Sequence, residues 1–256
     1  MIIALRRWVH HAQLELVPVI VPPTLASAQV LDPPPGAIAQ RMLTDVRDLV
    51  APPARPKYAV LTFDDGPYPV ATPALLAQLR RLHVPAVFFF IGRDSMEQPA
   101  IAARAGAGPD EIGNHTLSHP EMTALGFPAQ FEEVVDGALA IRRATGRPIV
   151  YFRPPHGNFN AMTIDAARGN REIVALWDID PGDWKRVTSP FIVDHVIAHA
   201  KSPAVLLLHN GSIPTIEALP QIVDAYRRAG FTFVTLSELQ RNLSLEQIND
   251  PLSVKL

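Results

Sequence analysis

Two adjacent carboxylates, Asp64 and Asp65, lie between an apolar segment and the turn-forming pair Gly66-Pro67. The apolar segment, residues 58–61, predicts a buried strand, and the Gly-Pro pair predicts a turn at its end. Neighbouring side chains in a strand point to opposite faces, but a turn can direct both carboxylates into one pocket. Two carboxylates this close need a cation between them or different protonation states. The pair therefore predicts a metal ion held by one carboxylate, with the other free to act as a base.

A second cluster supplies nitrogen ligands. His115 and His119 are four residues apart, and on a helical turn this spacing places both on one face, where they can hold one metal ion. His195 and His199 have the same spacing, but they fall in a predicted helix away from any strand end, and we interpret them as surface or packing residues. With Asp65, the first pair forms a set of two histidines and one carboxylate that leaves coordination positions open for water and substrate.

Further polar residues follow other predicted strands. Arg153 precedes two prolines that stiffen its loop, and it could orient a carboxylate or hold a surface ion pair. Asp183 and Trp184 could tune a histidine and offer an aromatic wall to a sugar, or form an ordinary loop with a buried Trp. His209 directly follows an apolar strand, where it could be structural or, if the other groups converge, a general acid.

Composition limits the class of protein. The chain has 256 residues, 48% of them hydrophobic, with a formal net charge of -2. The length suits one large domain or a barrel, and the charge gives no reason to expect a nucleic acid or an anionic membrane surface as a partner. Because the chain has no cysteine, disulfides are excluded and any metal site must use histidines and carboxylates. That donor set is typical of catalytic zinc or another divalent ion.

The remaining sequence alternates between strand and helix patterns. Helices are predicted to begin with Thr72 as a cap and at Ser189, to end at Gly146 and Gly230, and to cover residues 97–105. This alternation indicates parallel strands with helical crossovers, and the absence of a dinucleotide-binding glycine motif favours a barrel over a doubly wound sheet. Since active sites of such barrels lie at the carboxyl ends of the strands, we expect the polar clusters to converge. The predicted strands are residues 58–61, 86–91, 111–113, 149–152, 173–178, 204–208 and 231–235.

The N-terminal region is open to two interpretations. Arg6 and Arg7 precede an apolar run over residues 14–25, and Ala-Ser-Ala at 26–28 has the pattern of an export-signal cleavage site. Glu15 and several prolines interrupt the run, so a cleaved signal and an uncleaved arm both stay open. The run is too short and too rich in proline for a membrane-spanning helix. The predicted segments are an N-terminal arm with a proline-rich linker (1–56), a folded catalytic domain (57–241) and a C-terminal tail (242–256).

Five segments taken together resemble the polysaccharide deacetylase family, which is carbohydrate esterase family 4 and is also called the NodB homology domain. The resemblance covers residues 57–239. The segments are Thr-Phe-Asp-Asp-Gly-Pro at 62–67, His-Thr-Leu-Ser-His at 115–119, Arg-Pro-Pro-His-Gly at 153–157, Asp-Pro-Gly-Asp-Trp at 180–184 and Leu-Leu-His at 207–209.

The resemblance implies a distorted (β/α)7-type barrel that hydrolyses linear amides. Such an enzyme would remove acetyl groups from N-acetylated sugars of a glycan, such as peptidoglycan, a chitin-like oligomer or an exopolysaccharide, by means of a metal-activated water. The implied metal is Zn²⁺, with Co²⁺ or another divalent ion as alternatives, and its ligands would be Asp65, His115 and His119. An acetylated oligo- or polysaccharide is therefore the expected partner, and a polymer substrate favours a periplasmic or secreted location over the cytoplasm.

The resemblance also implies roles for the other residues. Asp64 would be the general base oriented by Arg153, and His209 would be the general acid kept protonated by Asp183. The substrate-binding residues would be His156, through its backbone N–H, and Trp184 and Leu207, which would line the pocket for the acetyl methyl group.

Two residues depart from the family pattern. Members commonly carry Tyr at the position of His156 and Asp at the position of Asn210. A backbone donor survives the first change, but the wall and polarity of the pocket do not, so both departures bear on substrate preference more than on catalysis.

Other functions fit some of the same residues. One is an O-acetyl esterase acting on xylan-type glycans, or a hydrolase of a small amide. Another is a non-catalytic glycan-binding module on the same scaffold, and the last is a barrel whose polar residues are incidental. Because every proposed base, acid and ligand position is filled, the residues favour a catalyst.

Overall fold

The structure is a computed structural model that describes residues 56–249, with side chains described through residue 244. The possible export signal and the proline-rich arm lie outside the described residues, as do the last residues of the tail. Within the described part, none of the helices combines the length and the apolar composition that a membrane span requires.

Seven parallel strands form one sheet with the order β5-β4-β3-β2-β1-β6, and β7 pairs with β1. The chain beyond β5 reaches β6 through an isolated parallel bridge between Ile179 and Leu206, so the sheet curls into a distorted barrel. The predicted (β/α)7-type barrel is confirmed. The strands are β1 (Lys57–Asp64), β2 (Val87–Phe90), β3 (Glu111–Asn114), β4 (Tyr151–Phe152), β5 (Ile173–Val174), β6 (Ala204–His209) and β7 (Phe231–Phe233).

Helices follow the strands, and all but the last of them cover the outside of the barrel. Short 3₁₀ turns at residues Met122–Ala124, Pro155–Gly157 and Asp183–Lys185 occupy the loops between them. The α-helices are α1 (Ala71–Leu82), α2 (Gly92–Glu97), α3 (Pro99–Gly106), α4 (Phe127–Thr145), α5 (Ala161–Gly169), α6 (Ser189–Ala198), α7 (Ile213–Arg228) and α8 (Leu236–Asn249).

Alternating residues of β1 pack on opposite sides of the sheet. Leu61 and Phe63 join a buried cluster with residues of the outer helices α1, α6 and α7. Val60 joins a second cluster that contains Phe89 of β2 and Leu239 of α8. Buried parallel strands carry apolar residues on both faces, which is why β1 reads as a continuous apolar run. Positions on the Val60 face point into the barrel, where α8 packs against them.

The Ser189 helix start is confirmed, and α4 ends at Gly146 as predicted, with Gly146 in the left-handed conformation at φ 69°. The helix predicted over residues 97–105 is confirmed over most of this range, but it is interrupted at residue 98. Gln98 separates α2 from α3 with ψ at 53°, because the ring of Pro99 disfavours helical geometry in the residue before it.

Thr72 is not a helix cap. Helix α1 begins at Ala71 with Val70 in the cap position and no side-chain cap hydrogen bond. The Thr72 hydroxyl instead accepts a hydrogen bond from the backbone N–H of Tyr68 at 2.7 Å and donates to Asn210 at 3.0 Å. Its role is to tie the loop after β1 to the loop after β6.

The fifth strand is shorter than predicted. It ends at Val174, whereas the predicted strand extended to residue 178. The carbonyl oxygens of Ala175 and Leu176 accept hydrogen bonds from the Arg153 side chain at 2.9 and 3.0 Å. Because a buried guanidinium needs acceptors for its N–H groups, this segment satisfies Arg153 instead of extending the strand.

Candidate active site

The pairing of β1 with β6 brings two reactive side chains together. Asp64 and His209 are the last residues of these strands, and their Cα atoms are register partners. The backbone N–H of Asn210 donates to the Asp64 carbonyl at 2.9 Å and holds the two strand ends in place. Since residues two apart in a strand share a face, Asp64 points to the same side as Val60, into the barrel.

Arg153 positions the Asp64 carboxylate. Its Nη1 donates to Asp64 Oδ1 and to the Thr62 hydroxyl, both at 2.7 Å. The guanidinium is fully buried and lies over the Phe89 ring, 4.1 Å from its centroid. The carbonyls of residues 175 and 176 take its other N–H groups. With its donors occupied in this way, the guanidinium can hold the carboxylate in only one orientation.

Asp65, His115 and His119 converge at the ends of β1 and β3. One potential ligand atom from each lies within 4.8 Å of the other two. The two histidines do not lie on a helical turn, as their spacing had indicated, but on a loop. Thr116 and His119 have left-handed φ values of 70° and 60° in this loop, and Asp65 has a φ of 70°. Non-glycine residues rarely adopt this conformation, and here it turns the side chains toward one point.

The donor set fits a divalent cation. His115 has its Nδ1 on the Arg153 carbonyl oxygen at 2.7 Å, so its Nε2 faces Asp65 Oδ1 at 3.7 Å, and His119 Nε2 lies 3.4 Å from the same oxygen. A backbone contact of this kind fixes the tautomer and orientation of a metal-ligating histidine.

Burial shifts the pKa values of all three side chains toward their neutral forms. It lowers the pKa of His115, and it lowers that of His119 with a further contribution from His156, so both rings favour the neutral form that binds metals. Burial also raises the pKa of Asp65. A cation between the three side chains would favour its ionised form.

His209 is held by Asp183 from two directions. Asp183 Oδ1 lies 2.7 Å from the ring Nδ1, and Oδ2 accepts the backbone N–H of His209 at 2.8 Å. Thr215 donates its hydroxyl to the same carboxylate at 2.5 Å. Burial by itself would lower the pKa of His209, but the hydrogen bond and the negative charge of Asp183 outweigh it and raise the pKa.

A cavity of about 520 Å³ opens beside these groups, within the range of small-ligand sites. Trp184 is 60% exposed on its wall, so the alternative of an ordinary loop with a buried Trp does not hold. Leu207 is buried on β6 and His156 is exposed, with its ring edge against His119 at a centroid distance of 4.8 Å; neither lines this cavity. Its lining residues are Asp65, Tyr68, Asp183, Trp184, Arg186, Val187, His209, Gly211, Ser212, Ile213 and Pro214.

The sequence did not point to several supporting residues. Thr62 and Thr215 bond directly to the proposed catalytic side chains, but a threonine in a strand or a helix has no pattern that distinguishes it. Asn114 accepts the backbone N–H of Thr116 at 3.0 Å and donates to the buried Glu172 at 3.0 Å. In the sequence, the position of Asn114 directly before His115 was the only indication that it supports the site.

The barrel and its Asp-His-His group at the strand ends are those of a hydrolase with a metal-binding centre. A model of the polysaccharide deacetylase family matches residues 51–170, which include Asp64, the three proposed metal ligands and Arg153. The chain belongs to this family.

Relatives and solved structures agree. The chain is 34% identical over 194 residues to a peptidoglycan-N-acetylglucosamine deacetylase of Bacillus cereus, covering 74% of this chain and 91% of the relative. It is 33% identical to a chitooligosaccharide deacetylase of Sinorhizobium fredii, covering 70% and 89%. The structure of the peptidoglycan deacetylase PdaC from Bacillus subtilis superposes with a TM-score of 0.70 at 30% identity, covering 76% of this chain and 95% of that one.

Proposed function

We propose that this protein removes acetyl groups from N-acetylated sugars of a glycan, with Asp64 as general base and His209 as general acid. The observation that carries this proposal is the register pairing of Asp64 with His209, next to the Asp65, His115 and His119 group. Hydrolysis of an amide needs a base on one side of the carbonyl carbon and an acid near the leaving nitrogen. Side chains from two neighbouring strand ends can meet both needs at once.

Asp65, His115 and His119 would hold a divalent cation, for which we propose zinc. When bound, such a cation lowers the pKa of a water and polarises a carbonyl oxygen. The buried Arg153 supports the role of Asp64, because it occupies Oδ1 at 2.7 Å while Oδ2 faces His115 Nε2 at 3.8 Å. Asp64 thus presents one oxygen toward the metal group, where it can accept a proton.

His209 can give a proton to the leaving nitrogen. Asp183 occupies Nδ1, so Nε2 is the atom free to face the substrate. The raised pKa keeps the ring in its protonated form to a higher pH than an ordinary histidine. An amide nitrogen leaves poorly without a proton, whereas an ester oxygen needs little protonation. Hydrolysis of an amide should therefore depend on His209 more than hydrolysis of an ester does.

The turn at Pro155–Gly157 could supply an oxyanion donor. Pro154 and Pro155 have no backbone N–H, so the first donor after Arg153 in this loop is the N–H of His156. That residue has a left-handed φ of 59°, a conformation that changes the direction of the peptide groups on either side of it. We propose this N–H as the donor that stabilises the developing negative charge, with Trp184 and Leu207 contributing to the acetyl pocket.

The experiment that tests this function is acetate release from N-acetylglucosamine oligomers by metal-stripped protein, with and without added zinc or cobalt. Asp64→Asn, which keeps the shape of the side chain but cannot act as a base, is the control variant. Release that returns with metal in the parent protein and stays absent in the variant is the expected result. Hydrolysis of an acetyl ester with no release from oligomers would favour an esterase, and binding without any turnover would favour a glycan-binding module.

A further inference from the structure

We infer that the cavity beside His209 contains a subsite for a carboxylate group on the glycan, and that Arg186 recognises it. The inference rests on the proposed function, because it concerns which glycan the same site selects. It predicts that a carboxylated N-acetylated glycan is a better substrate than a neutral one of the same size.

The first observation is the balance of charge around the cavity. Arg186 is the one arginine or lysine among its lining residues, His209 is the histidine, and Asp65 and Asp183 are the carboxylates. Asp183 is bonded to His209 and Thr215, and Asp65 belongs to the metal-binding group. Both carboxylates are therefore engaged with other groups at the floor of the site.

The second observation is that Arg186 lacks a partner. Within residues 56–244, the structure gives its exposed guanidinium neither a salt bridge nor a side-chain hydrogen bond. The neighbouring Lys185 places its Nζ over the Trp184 ring, 4.7 Å from the centroid, and so adds a second positive charge next to Trp184. A planar guanidinium matches a carboxylate through two parallel hydrogen bonds.

The third observation is the backbone that presents Arg186. Arg186 has a left-handed φ of 57° directly after the 3₁₀ turn Asp183–Lys185. Gly182 opens that turn, with its N–H on Asp180 Oδ1 at 2.7 Å and its carbonyl accepting from Lys185 N at 2.9 Å. Non-glycine residues keep this costly conformation only where the surroundings fix it, and such residues cluster at ligand sites. The turn joins Arg186 rigidly to Trp184 and Asp183.

The apolar and aromatic residues that line the cavity suit a sugar ring. Trp184, Tyr68 and Ile213 line the cavity, and an exposed aromatic ring gives a sugar ring an apolar face to pack on. A sugar on Trp184 would bring its substituents to the Arg186 rim, while the acetamide lies at His209. The ligand that fits is a glycan with a carboxylate on the sugar next to the one that loses its acetyl group.

The test compares two substrates of similar size, one with a charged group and one with a neutral group at the same positions. One is a tetramer of alternating N-acetylglucosamine and N-acetylmuramic acid with free lactyl carboxylates, and the second is the same tetramer with these groups converted to methylamides. We expect kcat/KM to be roughly threefold to tenfold higher for the carboxylate form, mostly through KM, since an exposed ion pair contributes modestly. The preference should decrease as salt is added.

Arg186→Gln should reduce this preference to a ratio near one, because the carboxylate form loses an ion pair that the methylamide form cannot make. Arg171→Gln is the matched control, because Arg171 is also exposed and left-handed, with φ 61°. Arg171 precedes β5 and so lies at the amino ends of the strands, whereas the proposed site lies at their carboxyl ends. Arg186→Lys keeps the charge and should retain part of the preference. A ratio near one in the parent protein, or an equal loss on both substrates in Arg186→Gln, would overturn the inference.

Binding to the Asp64→Asn variant separates this inference from the proposed function. If no substrate releases acetate, the proposed function fails, and calorimetry with the two tetramers then decides the inference alone. Tighter binding of the carboxylate form that depends on Arg186 would support the subsite. Equal binding of the two forms would overturn it.

Discussion

At the scale of single residues, the contacts of Asp183 decide how His209 can act. One carboxylate binds the ring, the backbone N–H of the same histidine and the Thr215 hydroxyl. It therefore fixes the tautomer and the orientation of the ring as well as its charge. Asp64 is fixed in a similar way by Arg153, whose guanidinium also donates to the Thr62 hydroxyl. The proposed base and the proposed acid are each held by a neighbouring charged side chain.

Asp183→Asn should move the alkaline limb of the kcat/KM profile to lower pH. Asp183 raises the pKa of His209 against the effect of burial, so removing its charge makes the imidazolium lose its proton earlier as pH rises. The measurement is kcat/KM on an N-acetylated oligomer from pH 5 to 10, with metal present. Thr215→Val, which removes only the hydroxyl donor, serves as the control and should shift the limb less. An unmoved limb in Asp183→Asn would mean that another group titrates there.

His209→Ala should affect amides far more than esters. Loss of a general acid typically costs about 10²- to 10⁴-fold in rate, but an acetyl ester has a leaving group that needs little protonation. We expect kcat on an N-acetylated oligomer to fall by this order and kcat on an O-acetyl ester to fall much less. Measuring both substrates with the same metal-loaded preparation controls for the amount of active protein, and equal losses would contradict the assigned role.

At the scale of elements, loops with unusual backbone conformations hold the site together. Gly157 follows the proposed oxyanion donor with φ at 73°, and a Cβ placed there would lie 2.4 Å from the Trp177 ring. Trp177 in turn lies against the Arg153 guanidinium, 5.5 Å from its ring centroid. The Arg-Pro-Pro-His-Gly loop is therefore packed onto the segment after β5, and both support the same arginine.

Gly157→Ala should destabilise the protein more than Gly146→Ala. Both glycines have positive φ, 73° and 69°, but a Cβ at Gly146 meets nothing within 4 Å. The two variants share the backbone cost, roughly 1–2 kcal/mol, and only Gly157→Ala adds a clash, about 1–3 kcal/mol for overpacking. Denaturant unfolding gives the difference, and kcat should also fall in Gly157→Ala alone. Equal unfolding free energies would show that Trp177 moves aside without cost.

Glu172 is a buried carboxyl next to the loop that carries His115 and His119, and burial raises its pKa from 4.5 to about 8. The folded protein keeps this proton between those values while the unfolded chain releases it. The contribution of Glu172 to stability is therefore complete below about pH 4.5 and is lost as pH rises toward 8.

Glu172→Gln should remove this dependence. Its unfolding free energy, relative to the parent protein, should increase from pH 5 to pH 8. Urea unfolding at several pH values, with metal absent in both proteins, measures the difference. The exposed Glu132 lies on the outside of α4, and Glu132→Gln is a control that should show no such trend. If the difference in unfolding free energy between Glu172→Gln and the parent protein stays constant with pH, the pKa of Glu172 is not raised in the folded protein.

At the scale of the whole molecule, the barrel was predictable because its strands are buried on both faces. Apolar runs with β-branched residues mark such strands directly, and the polar residues that follow them mark the active end. The left-handed residues Thr116, His119 and Arg186 have no sequence signature, so the loop geometry and the cavity rim were not predictable. Helix α8 was also missed, although it packs against the inward face of β1 through Leu236 and Leu239, because its apolar pattern is weak.

Added zinc should stabilise the folded protein through Asp65, His115 and His119. A ligand that binds only the folded state adds about 2.7 kcal/mol at a hundred times its Kd, which corresponds to a rise in Tm of a few degrees. The double variant His115→Ala/His119→Ala should abolish the rise. The double variant His195→Ala/His199→Ala, with the same spacing at the C-terminal end of α6, is the matched control and should retain it. Loss of the rise in the control pair instead would place the zinc site on α6.

The junction of β1 with β6 also bears on how the enzyme acquires its activity. Asp65 and Asn210, which hydrogen-bond across this junction, are 145 positions apart in the chain. Contacts between such distant positions form late and slow folding, because the loop between them must be ordered first. During refolding, the barrel can therefore collapse and bury most of its helices before the base meets the acid. Recovery of turnover should lag behind recovery of helical circular dichroism, and a ribosome-bound chain should stay inactive until the segment containing β6 has left the exit tunnel.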